Sequence, residues 1–171
     1  MGFEAYRIAV RLEDSVSKND IKKKLIQLGG NLIDEDSKCG YVNIDFNLEQ
    51  GVIEVLLENP YEVHKGLYGE EKLDEVRNQL RIYIRFAKPN SIEIVDKIIQ
   101  LLIKIDEEYK IKGVLDLQSK TRIVLNDYSE FKNNVVLAKQ EFNKYYPDVK
   151  YPIKCEAVFK EYRASNPEKY E

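Results

Sequence analysis

The heptapeptide Tyr6-Arg-Ile-Ala-Val-Arg-Leu12 recurs 74 positions later as Leu80-Arg-Ile-Tyr-Ile-Arg-Phe86. In both copies apolar residues alternate with polar or small ones, which is the period of a strand with one buried face. The match extends past the strands, because Ile21 of the first copy falls on Val95 of the second at the same offset. Each copy therefore predicts a strand followed by an amphipathic helix, and together they predict an internal duplication.

The first half of the chain is predicted to have the element order βαβββ. Strand Glu4–Leu12 leads to a helix for which Ser17 is a preferred N-cap, Asp20 occupies the capping-box position and Gly29-Gly30 provides the end. Three short strands bounded by turn-type residues follow at about Asn31–Asp34, Gly40–Phe46 and Val52–Leu57.

The second half is predicted to have the order βαββαβ, which is that of a ferredoxin-like fold. Its second helix is predicted to start at an Asp127 cap, with Glu130 three residues later. The predicted elements are strand Leu80–Phe86, helix Ile92–Glu108, strands Gly113–Leu117 and Thr121–Leu125, the helix after Asp127 and a last strand at Ile153–Lys160.

These patterns predict an α+β protein made of two related β-α-β-type halves, with a mostly antiparallel sheet and helices packed on one face. The halves would span residues 1–58 and 80–171, joined by a linker at 59–79 that holds a short helix. On a helical wheel, the apolar residues of Ile92–Ile105 fill about 200°. That arc is wider than one sheet covers, so this helix is predicted to be buried on two sides, by the rest of the chain or by a partner.

Composition and charge favour a globular cytoplasmic protein of bacterial or phage type. Of the 171 residues, 43% are hydrophobic and 33% are charged, and no apolar run is long enough to span a bilayer. The two cysteines lie far apart in sequence, which favours reduced thiols. Residues 1–79 carry 16 acidic and 10 basic side chains, whereas residues 80–171 carry 14 and 17. Neither half has the dense positive charge of a duplex-binding module.

Catalytic and metal-binding motifs are weak in this sequence. His64 is the only histidine, and a nucleophile pair with Cys39 is conceivable, although a surface histidine and a buried thiol are the simpler interpretation. Asp34-Glu35-Asp36 lacks the spacing of a calcium loop and is predicted to be a solvated turn. No cofactor and no metal is therefore predicted, and an enzyme of unknown chemistry, binding a small molecule or a metal, is the second alternative function.

The segment Cys39-Gly-Tyr-Val-Asn-Ile44 resembles the third-strand signature of the RNA-recognition motif in Gly40, Tyr41 and Val42. The resemblance implies that Tyr41 stands on an open sheet face near the arginines of strand one and stacks on a base. Asp45 would lie on the same face, where it would oppose phosphate. The simpler interpretation is that those arginines pair across the sheet with Asp45 or its neighbours. Binding of single-stranded RNA is accordingly the first alternative function.

The function best supported by sequence is binding to another protein, either a partner or a second copy. Three features support this hypothesis: the acidic first half, the helix with a wide apolar arc, and tyrosines near the ends of helices and strands. Tyrosine is enriched at recognition surfaces. A small bacterial or phage regulator, in its most concrete form an immunity protein that neutralises a toxin, is the resulting hypothesis. The predicted interaction residues are Arg7, Arg11, Tyr41, Asp45, Arg81, Tyr83, Arg85, Tyr145 and Tyr146.

Overall fold

In the computed structural model the chain is described at residues 5–13, 15–36, 41–57, 79–87 and 90–149. These residues form one open antiparallel sheet of seven strands with three helices. The α+β class and the antiparallel sheet are thus confirmed. Residues 59–78 of the predicted linker, the last strand at 153–160 and the Cys39/His64 pair lie outside the described residues, whereas Gln79, the last linker residue, begins a strand.

The described elements follow the chain in the order βαββββαββα. They are β1 (Ala5–Leu12), α1 (Lys18–Gln27), β2 (Asn31–Asp36), β3 (Tyr41–Leu48), β4 (Gly51–Leu57), β5 (Gln79–Arg85), α2 (Ile94–Tyr109), β6 (Ile111–Asp116), β7 (Arg122–Ile123) and α3 (Ser129–Tyr145).

The strand order across the sheet is β2-β3-β4-β5-β1-β6-β7, so β1 lies between two strands of the second half. Ile8 of β1 is opposite Ile82 of β5 on one side and Asp116 of β6 on the other. If the second half were a ferredoxin-like unit, the strand between its first two strands, β5 and β6, would also belong to the second half. Here that strand is β1, which belongs to the first half. The ferredoxin-like duplication is therefore not confirmed.

The hydrophobic core lies on one side of the sheet, where all three described helices pack. Alternation along β1 puts Tyr6, Ile8, Val10 and Leu12 on this side, and each of them is at most 2% exposed. The inward residues of β3, β4 and β5 continue the same cluster. The strand pattern read from the sequence therefore places the core correctly.

Helix α2 is the central helix of the layer. Lys24 of α1 is ion-paired with Glu108 at its C-terminal end, and Lys132 of α3 lies 2.7 Å from Asp96 near its start. With the sheet beneath and a helix on each side, seven residues of α2 are buried, as its wide apolar arc predicts. None of the described helices combines the length and the apolar character that crossing a bilayer requires. Lys132 also lowers the pKa of the Asp96 carboxyl by hydrogen bonding.

The predicted N-cap and C-terminal glycines of α1 are confirmed, whereas the predicted N-cap of α3 is wrong. Ser17 caps α1 by accepting a hydrogen bond from the Asp20 amide at 3.1 Å, and Gly29 follows the helix with a φ of 97°. The N-cap of α3 is Tyr128, not Asp127. Asp127 forms an isolated β-bridge with Val124, so its backbone belongs to the preceding turn.

Two strand predictions also need correction. Asp34-Glu35-Asp36 is the end of edge strand β2 and not a turn, because Glu35 pairs with Val42 of β3 and its carboxylate with Lys22. The predicted strand Thr121–Leu125 shrinks to Arg122–Ile123. Alternation of apolar residues does not show where the neighbouring strand ends, and β7 pairs with β6 at only two positions.

Asp116 is a buried structural carboxylate that points into the core side of the sheet. It is 0% exposed and accepts hydrogen bonds from the Tyr6 hydroxyl at 2.5 Å and from the backbone amides of Gln118 and Ser119 at 2.9 and 3.1 Å. Burial, together with this carboxylate, raises the pKa of Tyr6. Asp116 therefore fixes the β6–β7 turn against β1.

Replacing this carboxylate is expected to destabilise the fold strongly. Asp116→Ala leaves the buried Tyr6 hydroxyl and two part-buried backbone amides without their acceptor, so the free energy of unfolding should fall by about 3–5 kcal/mol. Tyr6→Phe removes a single hydrogen bond and should cost about 1–2 kcal/mol. Urea denaturation of both variants measures the difference, and equal small losses would show that Asp116 has no such role.

Candidate functional site

The polar sheet face is the side of the sheet opposite the three helices, and it gathers most of the predicted interaction residues. Because the even-numbered residues of β1 enter the core, Arg7 and Arg11 point to the other side. Antiparallel pairing puts Arg81, Tyr83 and Arg85 of β5 on the same side. Arg7 lies directly opposite Tyr83. The two central strands thus present four arginines and one tyrosine together.

Tyr41 and Asp45 occupy polar-face positions on β3, but far from β1. Strands β4 and β5 intervene, so three strand spacings, about 14 Å, separate β3 from β1. The predicted closeness of Tyr41 to Arg7 and Arg11 is therefore wrong, and Asp45 lies on the same strand, equally many strand spacings from those arginines. An RNA-recognition motif needs its third strand beside its first, whereas here β1 is flanked by β5 and β6.

Arg85, Glu54 and Asn43 form a buried hydrogen-bonded network on the polar sheet face. The Nε of Arg85 donates to Glu54 Oε2 at 2.6 Å, and Asn43 Nδ2 donates to Glu54 Oε1 at 3.0 Å. The three residues are only 7%, 5% and 8% exposed. The Arg85 guanidinium also lies 5.2 Å from the ring centroid of Tyr83. This part of the face is internally neutralised and rigid.

Around β1 the accessible part of the face is basic, because the carboxylates Asp45 and Glu54 are only 2% and 5% exposed and the exposed Asp34 lies on the distant edge strand β2. Arg7 and Arg11 are half-buried, whereas Arg122 is exposed. We call the set Arg7, Ala9, Arg11, Leu115 and Arg122 the β1–β6–β7 strip. Its members are neighbours, since Leu115 is opposite Ala9 on one side and Arg122 on the other.

Leu115 and Arg122 are absent from the interaction residues that the sequence predicts. Side chains of β6 alternate regularly, but the polar Asp116 turns inward and the apolar Leu115, 40% exposed, turns outward. The signal that marks this position is a carboxylate in an apolar strand, which requires buried partners. Only the structure supplies those partners, in Tyr6 and the β6–β7 turn.

Tyr145 and Tyr146 do not join the polar sheet face. They lie at the end of α3, which packs on the opposite side of the sheet. Tyr146 packs against Phe142 with ring centroids 5.2 Å apart, whereas Tyr145 is 65% exposed. The predicted interaction set therefore divides between two sides of the protein.

An open pocket of about 330 Å³ lies at the β6–β7 end of the strip. Arg122 and Gly113 belong both to the sheet face and to the pocket, and Asp106 Oδ1 at its wall accepts a hydrogen bond from the Ile111 amide at 2.6 Å. The lining residues are Asp106, Ile111, Gly113, Val114, Arg122, Ile123, Val124 and Leu125.

Within the described ranges, no three or more His, Cys, Asp or Glu side chains gather as a metal site would require. Comparison of the chain with protein-family models, curated proteins and solved structures finds no match. Functional inference therefore rests on the geometry of the polar sheet face.

Removing the carboxylate of the buried network is expected to be costly. Glu54→Gln takes the negative charge from beside the buried Arg85 guanidinium, so the free energy of unfolding should fall by about 3 kcal/mol. The double variant Glu54→Leu with Arg85→Met should lose less, because no buried charge remains at either position. Glu141→Gln, at an exposed ion pair of α3, serves as control and should change stability by less than about 0.5 kcal/mol. A double variant less stable than Glu54→Gln would contradict this account.

Proposed function

We propose that this chain is a non-enzymatic binding protein whose polar sheet face docks on another protein. The observation that supports this best is the β1–β6–β7 strip, where arginines and an exposed leucine share a surface on the side of the sheet away from the three described helices. Arginine is enriched at protein interfaces because its planar guanidinium makes several directed hydrogen bonds and packs on apolar groups.

Docking on the face is favoured over strand addition at either edge of the described sheet. Edge strand β2 has a register irregularity at Ile33 and ends in three consecutive acidic residues. The opposite edge strand, β7, is two residues long. Bulges, edge charges and very short edge strands are the devices by which proteins prevent strands of other chains from pairing.

A protein partner is favoured over a nucleic acid. Sequence-specific binding of RNA relies on aromatic rings on which bases stack. The Tyr83 ring is in contact with the Arg85 guanidinium, and Tyr41 lies about three strand spacings from β1.

The most concrete form of the proposal is an immunity protein, a cytoplasmic bacterial or phage factor that neutralises a toxin. Such a protein needs a preorganised contact surface and no chemistry of its own. The buried network of Arg85, Glu54 and Asn43 lies beside the accessible arginines on the same face and would hold that part of the surface in place. Rigid surfaces bind more tightly because less conformational entropy is lost on association.

We further propose that the two strand–helix units arose by duplication. Its support is local: Ile8 is directly opposite Ile82, the residue 74 positions later that is its equivalent in the repeat. Likewise Tyr6 faces Ile84 while Val10 faces Leu80, so the β1–β5 ribbon has a local two-fold relation about Ile8 and Ile82.

The test is recovery and titration of a partner with a charge-reversal variant. The tagged wild-type chain, purified from cells of the native host, should bring down one partner protein in stoichiometric amount. In calorimetric titration, Arg7→Glu should weaken binding of that purified partner by tenfold or more. Lys104→Glu is the matched control, because Lys104 is an exposed cation on α2, in the helix layer. Equal affinity of the two variants, or retention of RNA in place of a protein, would refute the proposal.

A further inference from the structure

We propose that the β1–β6–β7 strip takes an acidic segment of the partner, and that the pocket beside Arg122 receives one apolar side chain of that segment. This inference rests on the proposed function and names the chemistry of its partner.

Charge complementarity selects carboxylates for the strip. Arg122 is exposed at the outer end and Arg7 is half-buried on β1, whereas the carboxylates Asp45 and Glu54 of the same face are shielded from solvent. An arginine fork matches a carboxylate through two parallel N–H···O bonds. A segment crossing from β1 to β7 therefore meets cations at both ends.

Arg122 is held in position at the pocket. Its Nη2 donates to the Lys112 carbonyl at 3.1 Å, a contact that uses one of the five N–H donors of a guanidinium. The nearest atom that a methyl group on Gly113 would meet is the same Nη2, at 3.9 Å. The guanidinium thus rests above a backbone without a side chain, at the border between strip and pocket.

The pocket selects an apolar side chain. Ile111, Val124 and Leu125 contribute apolar walls, and Val124 is 52% exposed. The volume of about 330 Å³ is at the lower end of small-molecule sites, which suits one inserted leucine or phenylalanine. Asp106 at the wall repels a second carboxylate, so the acidic groups of the segment remain at the Arg122 rim.

An acidic protein segment fits this surface better than a nucleic acid. Leu115, exposed between Ala9 and Arg122, offers an apolar contact in the middle of the strip. In a peptide with one apolar residue among Asp and Glu, that residue enters the pocket and the methylene groups of a flanking Glu lie over Leu115. A sugar-phosphate chain supplies the anions but no aliphatic side chain for the apolar walls.

The experiment uses a fluorescein-labelled peptide, Glu-Asp-Leu-Glu-Asp-Glu, and the full chain. Fluorescence anisotropy should show binding that weakens with salt, and amide NMR signals of Gly113, Leu115 and Val124 should shift. Arg122→Glu should weaken binding at least tenfold, and replacing the peptide leucine by alanine should weaken it several-fold. Lys104→Glu, on the helix layer, should bind like the wild type.

Val124→Asp is the second variant, because it places a charge in the pocket and leaves Arg122 intact; it should also weaken peptide binding. Circular dichroism melting verifies that both variants fold. No binding to the wild type at about 1 mM peptide, or binding of oligouridylate in place of the peptide, would overturn the inference. If the native partner is lost with Arg7→Glu but kept with Arg122→Glu, this inference fails while the proposed function stands. If neither substitution affects the partner, both fail.

Discussion

Strand β1 is hydrogen-bonded on both sides by strands of the second half, and the whole sheet depends on this placement. It pairs with β5 from Ala5 to Arg11 and with β6 from Ile8 to Leu12. The first strand of the chain thus becomes an inner strand whose partners begin at residue 79. The pairing is strongly non-local, so the sheet joins only after distant parts of the chain meet, and loop-closure entropy opposes that step. The burial of apolar side chains of β1 offsets this entropy cost, since Ile8 and Val10 are fully buried in the core.

The same placement creates the two unlike faces of the sheet. On one side β1 contributes to the apolar core, where Tyr6 packs against Phe131 of α3 with ring centroids 5.9 Å apart and donates a hydrogen bond to Asp116 of the neighbouring strand. On the other side its arginines lie between the buried network of β4 and β5 and the exposed end of β6 and β7. A buried carboxylate therefore anchors one face, while a buried ion pair stiffens the other. Function is proposed for the β1–β6–β7 strip of the second face because its arginines stand next to the exposed Leu115.

Most of the helices and strands could be predicted from the sequence, but the order of the strands in the sheet could not. Alternation identified β1 and β5, and the wide apolar arc of α2 correctly indicated burial on more than one side, since each of these follows from local periodicity. Strand order depends on which edges meet in space, and no local pattern encodes that β1 separates β5 from β6. Five of the predicted interaction residues lie together on β1 and β5. Tyr41, which was expected beside β1, lies across the sheet because β4 and β5 separate its strand from β1. Leu115 and Arg122 were missed because the inward position of Asp116 depends on partners that it finds only in the folded protein.

The position of β1 is tested most directly by NMR, through nuclear Overhauser contacts of Ala9. On the polar sheet face Ala9 is flanked by Arg81 of β5 and Leu115 of β6. Backbone protons of paired antiparallel residues lie close enough for strong cross-strand contacts. The account predicts contacts from Ala9 to both Arg81 and Leu115 in the same sample. Contacts from Ala9 to β3 or β7 in place of either one would contradict it, and the β1–β6–β7 strip would no longer exist as a surface.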